Sequence, residues 1–216
     1  MSTNTSCFDV DCCRCPRLCQ FLEDVREEYP DYHARPVPPF GVANPKLLVV
    51  GLAPGMHGAN ATGRPFTGDY AGILLYETLY KYGFSNKPES VSLDDGLKLK
   101  ACRITNAVKC LPPQNKPTTQ EINVCNDLLR EELDSLKKTK VILVLGLIAH
   151  KAVLKACGVK IKDYPFGHGA CKQLPDGRWL LSSYHCSKYN TSTKRLTEPM
   201  FHDVFARARS LIDDSD

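Results

Sequence analysis

Four cysteines fall into two pairs far apart in the chain. Cys12-x2-Cys15 has the spacing of a metal-ligand knuckle, and Cys110 and Cys125 are separated by 14 residues. A metal or iron–sulfur centre bound by all four would pin the N-terminal segment to the middle of the fold. Tetrahedral thiolate sites suit zinc and iron–sulfur alike, although the gap between Cys110 and Cys125 is wider than a zinc ribbon uses. Such a clamp leaves the chemistry elsewhere, and three other places offer it. Gly51-Leu52-Ala53-Pro54-Gly55-Met56-His57-Gly58 opens a loop that runs on to Asp69 with five glycines and two prolines. That much Gly and Pro implies a backbone shaped closely around something planar or anionic. The loop lacks the Lys-Ser/Thr of a P-loop and does not match G-x-G-x-x-G. It contains Phe66 and Asp69, which read equally as a core plug and as the cap of the next helix. His185 is followed by Ser187, Asn190 and Thr191. Asn106 offers a donor and an acceptor in one plane, suited to a base edge and equally common in turns.

The elements that position these residues follow from periodicity. Leu18, Phe21, Leu22 and Val25 lie at helical spacing in 16–32, and Pro30 ends that helix. The proline-rich run 33–45 predicts an extended connection. Residues 46–50 and 141–145 are short apolar runs that read as buried strands; 101–108 and 179–185 predict two more. Helices are expected at 70–83, at 118–137 behind a threonine cap, at 147–156, and after Thr197. Strands alternating with helices predict an α/β fold: three αβα layers around a central four-stranded, mostly parallel sheet. Ligands then bind beyond the carboxyl ends of the strands, where Gly51, Asn106 and His185 all stand. That placement raises His185 above the usual structural histidine. His168, between two glycines, reads as support for it, and His33, His150 and His202 as structural or surface residues.

At 216 residues the chain is expected to form a single domain, 1–216. The segment 1–11 has no apolar core of a secretory signal, and 141–149 is too short to cross a bilayer. These features predict a cytoplasmic protein with no membrane partner. In a reducing compartment eleven cysteines are not expected to form disulfides, and an odd count leaves one over. Cys102 and Cys157 read as core residues; Cys7, Cys13 and Cys19 read as surplus thiols. Leu22 stands where a radical-SAM loop would need a further cysteine. The formal charge of +4 is a mild bias. Its distribution says more: Lys188, Lys194 and Arg195 surround one polar loop, while Asp213, Asp214 and Asp216 make the tail acidic.

Four motifs in order carry a resemblance. Gly51-Leu52-Ala53-Pro54 with Gly63-Arg64-Pro65-Phe66-Thr67-Gly68-Asp69 resembles the first motif of family 5 uracil-DNA glycosylases. Tyr184-His185-Cys186-Ser187, with Asn190-Thr191-Ser192-Thr193 and Arg195-Leu196-Thr197, resembles their second. Thr105-Asn106-Ala107-Val108-Lys109-Cys110-Leu111-Pro112-Pro113 is similar to a segment shared with family 4. Cys12, Cys15, Cys110 and Cys125 match the ligands of the [4Fe–4S] cluster of both families. The resemblance runs from about residue 12 to about residue 205.

The resemblance implies a monofunctional DNA-repair glycosylase that flips uracil out of DNA and hydrolyses its N-glycosidic bond, with a range extending to hypoxanthine. The backbone of Gly51, Ala53 and Gly55 is then expected to line the base pocket. Phe66 matches the stacking aromatic, Asn106 the residue that reads the uracil edge, and His185 the motif histidine near uracil O2. Asp69 matches the later carboxylate proposed to orient water or to stabilise the sugar cation. Lys188 and Arg195, with Asn190, are expected at the DNA, Lys194 at phosphates, and Tyr189 in the gap left by the flipped base. No motif lysine is placed for Schiff-base chemistry. One site per chain predicts a monomer. Two departures stand out. Gly55-Met56-His57-Gly58 replaces Ala-Ala-His-Gly, which would alter pocket width and so base selectivity, and Cys186 replaces a proline, which would loosen the loop that aims His185 or place a reactive thiol near the site. The rival reading is a non-catalytic iron–sulfur module that binds nucleic acid or senses damage. A redox iron–sulfur protein is a further rival, indifferent to uracil.

Overall fold

Leu47, Leu48, Val49 and Val50 are fully buried, as are all five residues of the run 141–145. Strands without a polar face suit a parallel sheet covered on both sides. In the computed structural model, which describes residues 8–214, these runs are β2 (Leu47–Gly51) and β4 (Val141–Leu145). They pair in parallel. β3 (Cys102–Asn106) flanks β2 and β6 (Trp179–Ser183) flanks β4, both also parallel. Cys7 and Asp216, weighed above, lie outside the described residues.

The expected four parallel strands are present, but the sheet is wider. β1 (Phe40–Gly41) adds antiparallel to β3, and β5 (Cys171–Gln173) adds antiparallel to β6. The strand order is β1-β3-β2-β4-β6-β5. Neither edge strand carries an apolar run. β1 is two residues inside the proline-rich connection, and β5 exposes Lys172 and Gln173. Short polar strands are what a sheet edge tolerates without inviting a further partner.

Five helices occupy the segments predicted for them: α1 (Pro16–Glu28), α3 (Tyr70–Lys81), α4 (Thr119–Ser135), α5 (Leu147–Ala156) and α7 (Glu198–Asp213). Two turns read as loop are helical, α2 (Ala59–Thr62) and α6 (Lys188–Ser192). Helices α3 and α7 cover one face of the sheet, with Tyr76, Phe201 and Phe205 in its core. Helices α4 and α5 cover the other around Leu129, Val153 and Leu154. The result is the expected αβα layering.

Helix α1 packs outside α4, in a smaller cluster where Leu18, Leu22 and Val25 join Leu111 and Leu128. A polar strap holds it there. Thr118 and Glu121 close a capping box at the start of α4, and the Glu121 carboxylate also accepts two bonds of 2.7 Å from Arg17. One expectation fails in this segment. Cys13 and Cys19 are joined in a disulfide rather than free. The first turn of α1 brings their Cα atoms to 5.3 Å, inside the range a bridge spans.

A buried ionic network lies between β3 and α4. Glu132 accepts from Lys109 at 2.9 Å, Arg103 at 3.0 Å and Thr105 at 2.8 Å, and the Lys109 ammonium also meets the Thr105 hydroxyl. Burial alone would raise the Glu132 pKa, but the charges of Lys109 and Arg103 hold it below the ordinary glutamate value. Its stabilisation is therefore present above the unfolded pKa and is lost as pH falls through the lower folded one. Glu132→Ala leaves Lys109 buried without its carboxylate. A urea titration is expected to show a loss of about 3–5 kcal/mol. A loss under about 1 kcal/mol would mean that water reaches Lys109 and the network is not dry.

Candidate active site

Loops leave the carboxyl ends of β2, β3, β4 and β6 on the same edge of the sheet. The chain turns from β2 towards β3 on one side and from β4 towards β6 on the other, which opens a crevice between them. A cavity of about 420 Å³ occupies it. Ala53 and Gly55 line it from the loop after β2, Asn106 from the end of β3, and His185 and Lys188 from the loop after β6. Phe66 and Asp69, from the glycine-rich loop, complete the wall. Gly51 lies behind that wall, in register with Asn106. A Cβ there would collide with Asn106 Oδ1 and stand 2.7 Å from the Phe66 ring. The position requires glycine because two side chains close over it.

Phe66 adopts φ 55°, a left-handed conformation that costs a residue with a Cβ. Its carbonyl oxygen presses on Gly72 in the first turn of α3, where a Cβ would collide with it. The ring faces the imidazole of His185 at 5.9 Å between centroids and 27° between planes. Asp69 caps α3 and lines the cavity as well. Oδ1 caps α3, accepting from Gly72 N at 2.8 Å, while Oδ2 faces the Gly55–Gly58 turn. A Cβ on Gly58 would lie 2.9 Å from Oδ2, and one on Gly55 3.8 Å. Burial raises the Asp69 pKa, opposed in part by the N–H groups of Gly72 and Ala71. Asn106 is buried, and its Oδ1 has no hydrogen-bond partner among the described residues.

His185 stands on a braced turn. Asn190 Nδ2 donates to its carbonyl at 2.8 Å, and Ser187 caps the short helix α6 that carries Asn190. His168 supports the preceding residue as expected: Nδ1 accepts from Tyr184 N at 3.3 Å, and Nε2 donates to Met200 O at 3.2 Å. Burial pulls the His185 pKa down to about 4. Cys186, expected to loosen this turn, ties it down instead. Its thiol donates to Ala71 O at 3.4 Å in α3, and burial together with the Asp69 charge raises its pKa, so it stays protonated.

The residues expected at nucleic acid divide in two. Lys188 and Tyr189 are exposed at the rim, and the Arg195 guanidinium stacks 4.8 Å above the Tyr184 ring. Asn190 turns its amide inward to His185. Asn115 and Tyr70 are among the lining residues that carried no motif signal. Asn115 follows Pro112-Pro113-Gln114, a turn in which Gln114 and Asn115 both have positive φ, and that turn was the only sign available.

Cys12, Cys15, Cys110 and Cys125 are free thiols that line one small cleft between α1, α4 and the segment after β3. Lys109 N lies 3.4 Å from Cys125 Sγ, the kind of backbone contact that thiolate sulfur accepts. Burial raises the pKa of Cys15 to about 11 and also raises those of Cys110 and Cys125, with the mutual repulsion of the four adding to it. Four gathered thiols, of which Cys15, Cys110 and Cys125 resist ionisation, fit a cationic centre able to take them as thiolates. Among the described residues no group of three or more His, Cys, Asp or Glu side chains is placed to hold a metal ion. Ala53 and Met56 of the loop after β2 pack on this cluster of side chains, joining the clamp to the cavity wall.

Comparison with known proteins agrees with this geometry. The uracil DNA glycosylase superfamily model matches residues 38–209. A type-5 uracil-DNA glycosylase of Thermus thermophilus is 47% identical, the match covering 93% of each protein. Its counterpart in Pyrobaculum aerophilum is 44% identical over 92% of this chain and 88% of the relative. A type-4 uracil-DNA glycosylase of the same archaeon is 34% identical over 66% of this chain and 65% of its own length.

The desolvated setting of His185 is directly measurable. Titration of the His185 ring by NMR is expected to give a midpoint near 4, against an ordinary histidine value of about 6.5. The folded state then resists a proton that the unfolded chain accepts. Stability is full above about 6.5 and falls as pH drops towards 4. A midpoint near 6.5 would mean that water reaches the ring freely.

Proposed function

The chain belongs to the uracil DNA glycosylase superfamily, and within it to the type-5 family, and from that premise we propose that it removes uracil from DNA by hydrolysis. The observation that carries the reading is Asn106 Oδ1, a buried acceptor without a partner in the cavity wall. Such a group costs about 1–3 kcal/mol, which an arriving N–H offsets. Uracil presents that N–H at N3. Cytosine presents an acceptor there, so two acceptors would meet and the base would be refused. A base reaches the cavity only when flipped from the duplex, and Phe66 gives it a flat face to stack on.

The reaction breaks the bond between C1′ and N1, and the electron pair leaves with the base. His185, partly buried and with its pKa lowered by burial, is neutral and donates a hydrogen bond to the developing charge on uracil O2. Asp69, fixed by its capping oxygen, turns Oδ2 to the water that attacks C1′ and accepts its proton. Uracil and an abasic sugar result. In this reading Lys188, Tyr189 and Arg195 meet the DNA strand at the rim. Cys12, Cys15, Cys110 and Cys125 hold a [4Fe–4S] cluster that serves structure rather than electron transfer. The chain acts as a monomer, since one chain carries every side chain invoked. The range extends to hypoxanthine, supported by Gly55, which leaves space in front of Asp69.

The test is base release from oligonucleotides carrying one uracil or one hypoxanthine, with alkali revealing abasic sites. Release from both is expected. Retention of both bases by a protein that still binds the DNA would favour the damage-sensing module. Asp69→Asn keeps an oxygen for the cap and is expected to lower kcat about 10²- to 10⁴-fold. The acid limb of the wild-type rate should lie above the ordinary aspartate value of about 4, because burial raises the Asp69 pKa, and the variant should lack that limb. Iron and acid-labile sulfide are expected at about four each per chain and should fall in Cys110→Ser. A full complement in that variant would remove Cys110 from the ligand set.

A further inference from the structure

A second cleft, of about 370 Å³, lies on the far side of His185 from the base cavity. The two share Leu52 and His185 as a common wall. One side of the second cleft is the turn from β4 into α5. Gly146 has φ +99° there, and the two residues after it are exposed although they are large and apolar: Leu147 at 45% and Ile148 at 42%. The other side is aromatic. Tyr184 and Phe166 stand 6.1 Å apart between ring centroids, and Arg195 lies flat over Tyr184. The apolar side chains of Leu147 and Ile148 face solvent beside a polar turn, which leaves them unexplained by folding.

We propose that this cleft binds the nucleobase next to the excised one on the same DNA strand. The inference rests on the glycosylase reading of the neighbouring cavity and adds a second subsite to it. Two cavities that share one wall suit two consecutive bases joined by one sugar-phosphate, with the connection crossing the rim near Lys188. Every nucleobase has an apolar π-face, so aliphatic and aromatic walls accept any of the four without reading sequence. The stacked Arg195 adds a cation beside that face. A base held here keeps the strand from sliding while its neighbour is in the cavity. It also replaces the stacking that the neighbour lost when the uracil flipped out.

The test pairs a substrate change with a protein change, on single-stranded oligonucleotides so that no opposing base is present. Each neighbour of the uracil is replaced in turn by an abasic tetrahydrofuran spacer. With the wild-type protein, a spacer on one side is expected to raise KM about tenfold and to leave kcat within about twofold. In Leu147→Ala/Ile148→Ala, which truncates exposed side chains outside the base cavity, KM should rise for the intact oligonucleotide, and the spacer should then have little further effect. Equal spacer effects in both proteins, or none on either side in the wild type, would overturn the second subsite while leaving the glycosylase reading intact. No uracil release from the intact oligonucleotide would overturn both.

Discussion

The wall of the cavity depends on how closely backbone approaches backbone around Phe66. Gly51 lets the ring lie over the end of β2, and Gly72 lets α3 begin against the Phe66 carbonyl. Phe66 itself pays for this arrangement with a left-handed φ, a strain of order 1–3 kcal/mol that surrounding contacts must overcome. Those contacts are short-range and directional. Asp69 caps α3 one turn away, and Tyr76 Oη donates to the Pro65 carbonyl at 2.7 Å. Asp69 and Phe66 are thus placed by one piece of packing. Neither can shift without moving the other.

The opposite wall has a different support. Asn106 ends β3, and the residues on either side of it are tied into the interior: Thr105 through Glu132, and Lys109 through the same carboxylate. The main chain of Lys109 meets Cys125 Sγ on one side and accepts from Val37 N on the other. One lysine therefore joins the strand that carries Asn106 to the cleft that gathers the four cysteines. Rigid parallel strands with all their carboxyl ends on one edge then deliver both walls to the same crevice.

Much of this was legible in the chain. Residues 141–145 are apolar without interruption, and an apolar run of that length has few alternatives to a buried strand. The glycine-rich loop, Asn106 and His185 were recognisable because each follows a strand, and the fold brings strand ends together. Other features were hidden for physical reasons. β5 pairs through its backbone, and its side chains bear no pattern. Asn190 was expected at the DNA through the motif that it belongs to; only the geometry shows its amide donating to the His185 carbonyl. The Cys13–Cys19 bridge depends on the pitch of α1, which sequence spacing does not reveal without the helix start. Leu147 and Ile148 read as ordinary helix residues, since periodicity does not say which side of a helix lacks a neighbour.

Arg64 belongs to the same motif as Phe66 and Asp69, yet it faces the interior, clasped by Asp95, the Leu93 carbonyl and Ser90, with Phe40 against its guanidinium. Arg103 and Lys109 are likewise engaged with Glu132. Cations locked to internal carboxylates neutralise no phosphate and release no counterions. These three of the chain's 28 lysines and arginines therefore add little to any surface that meets a polyanion.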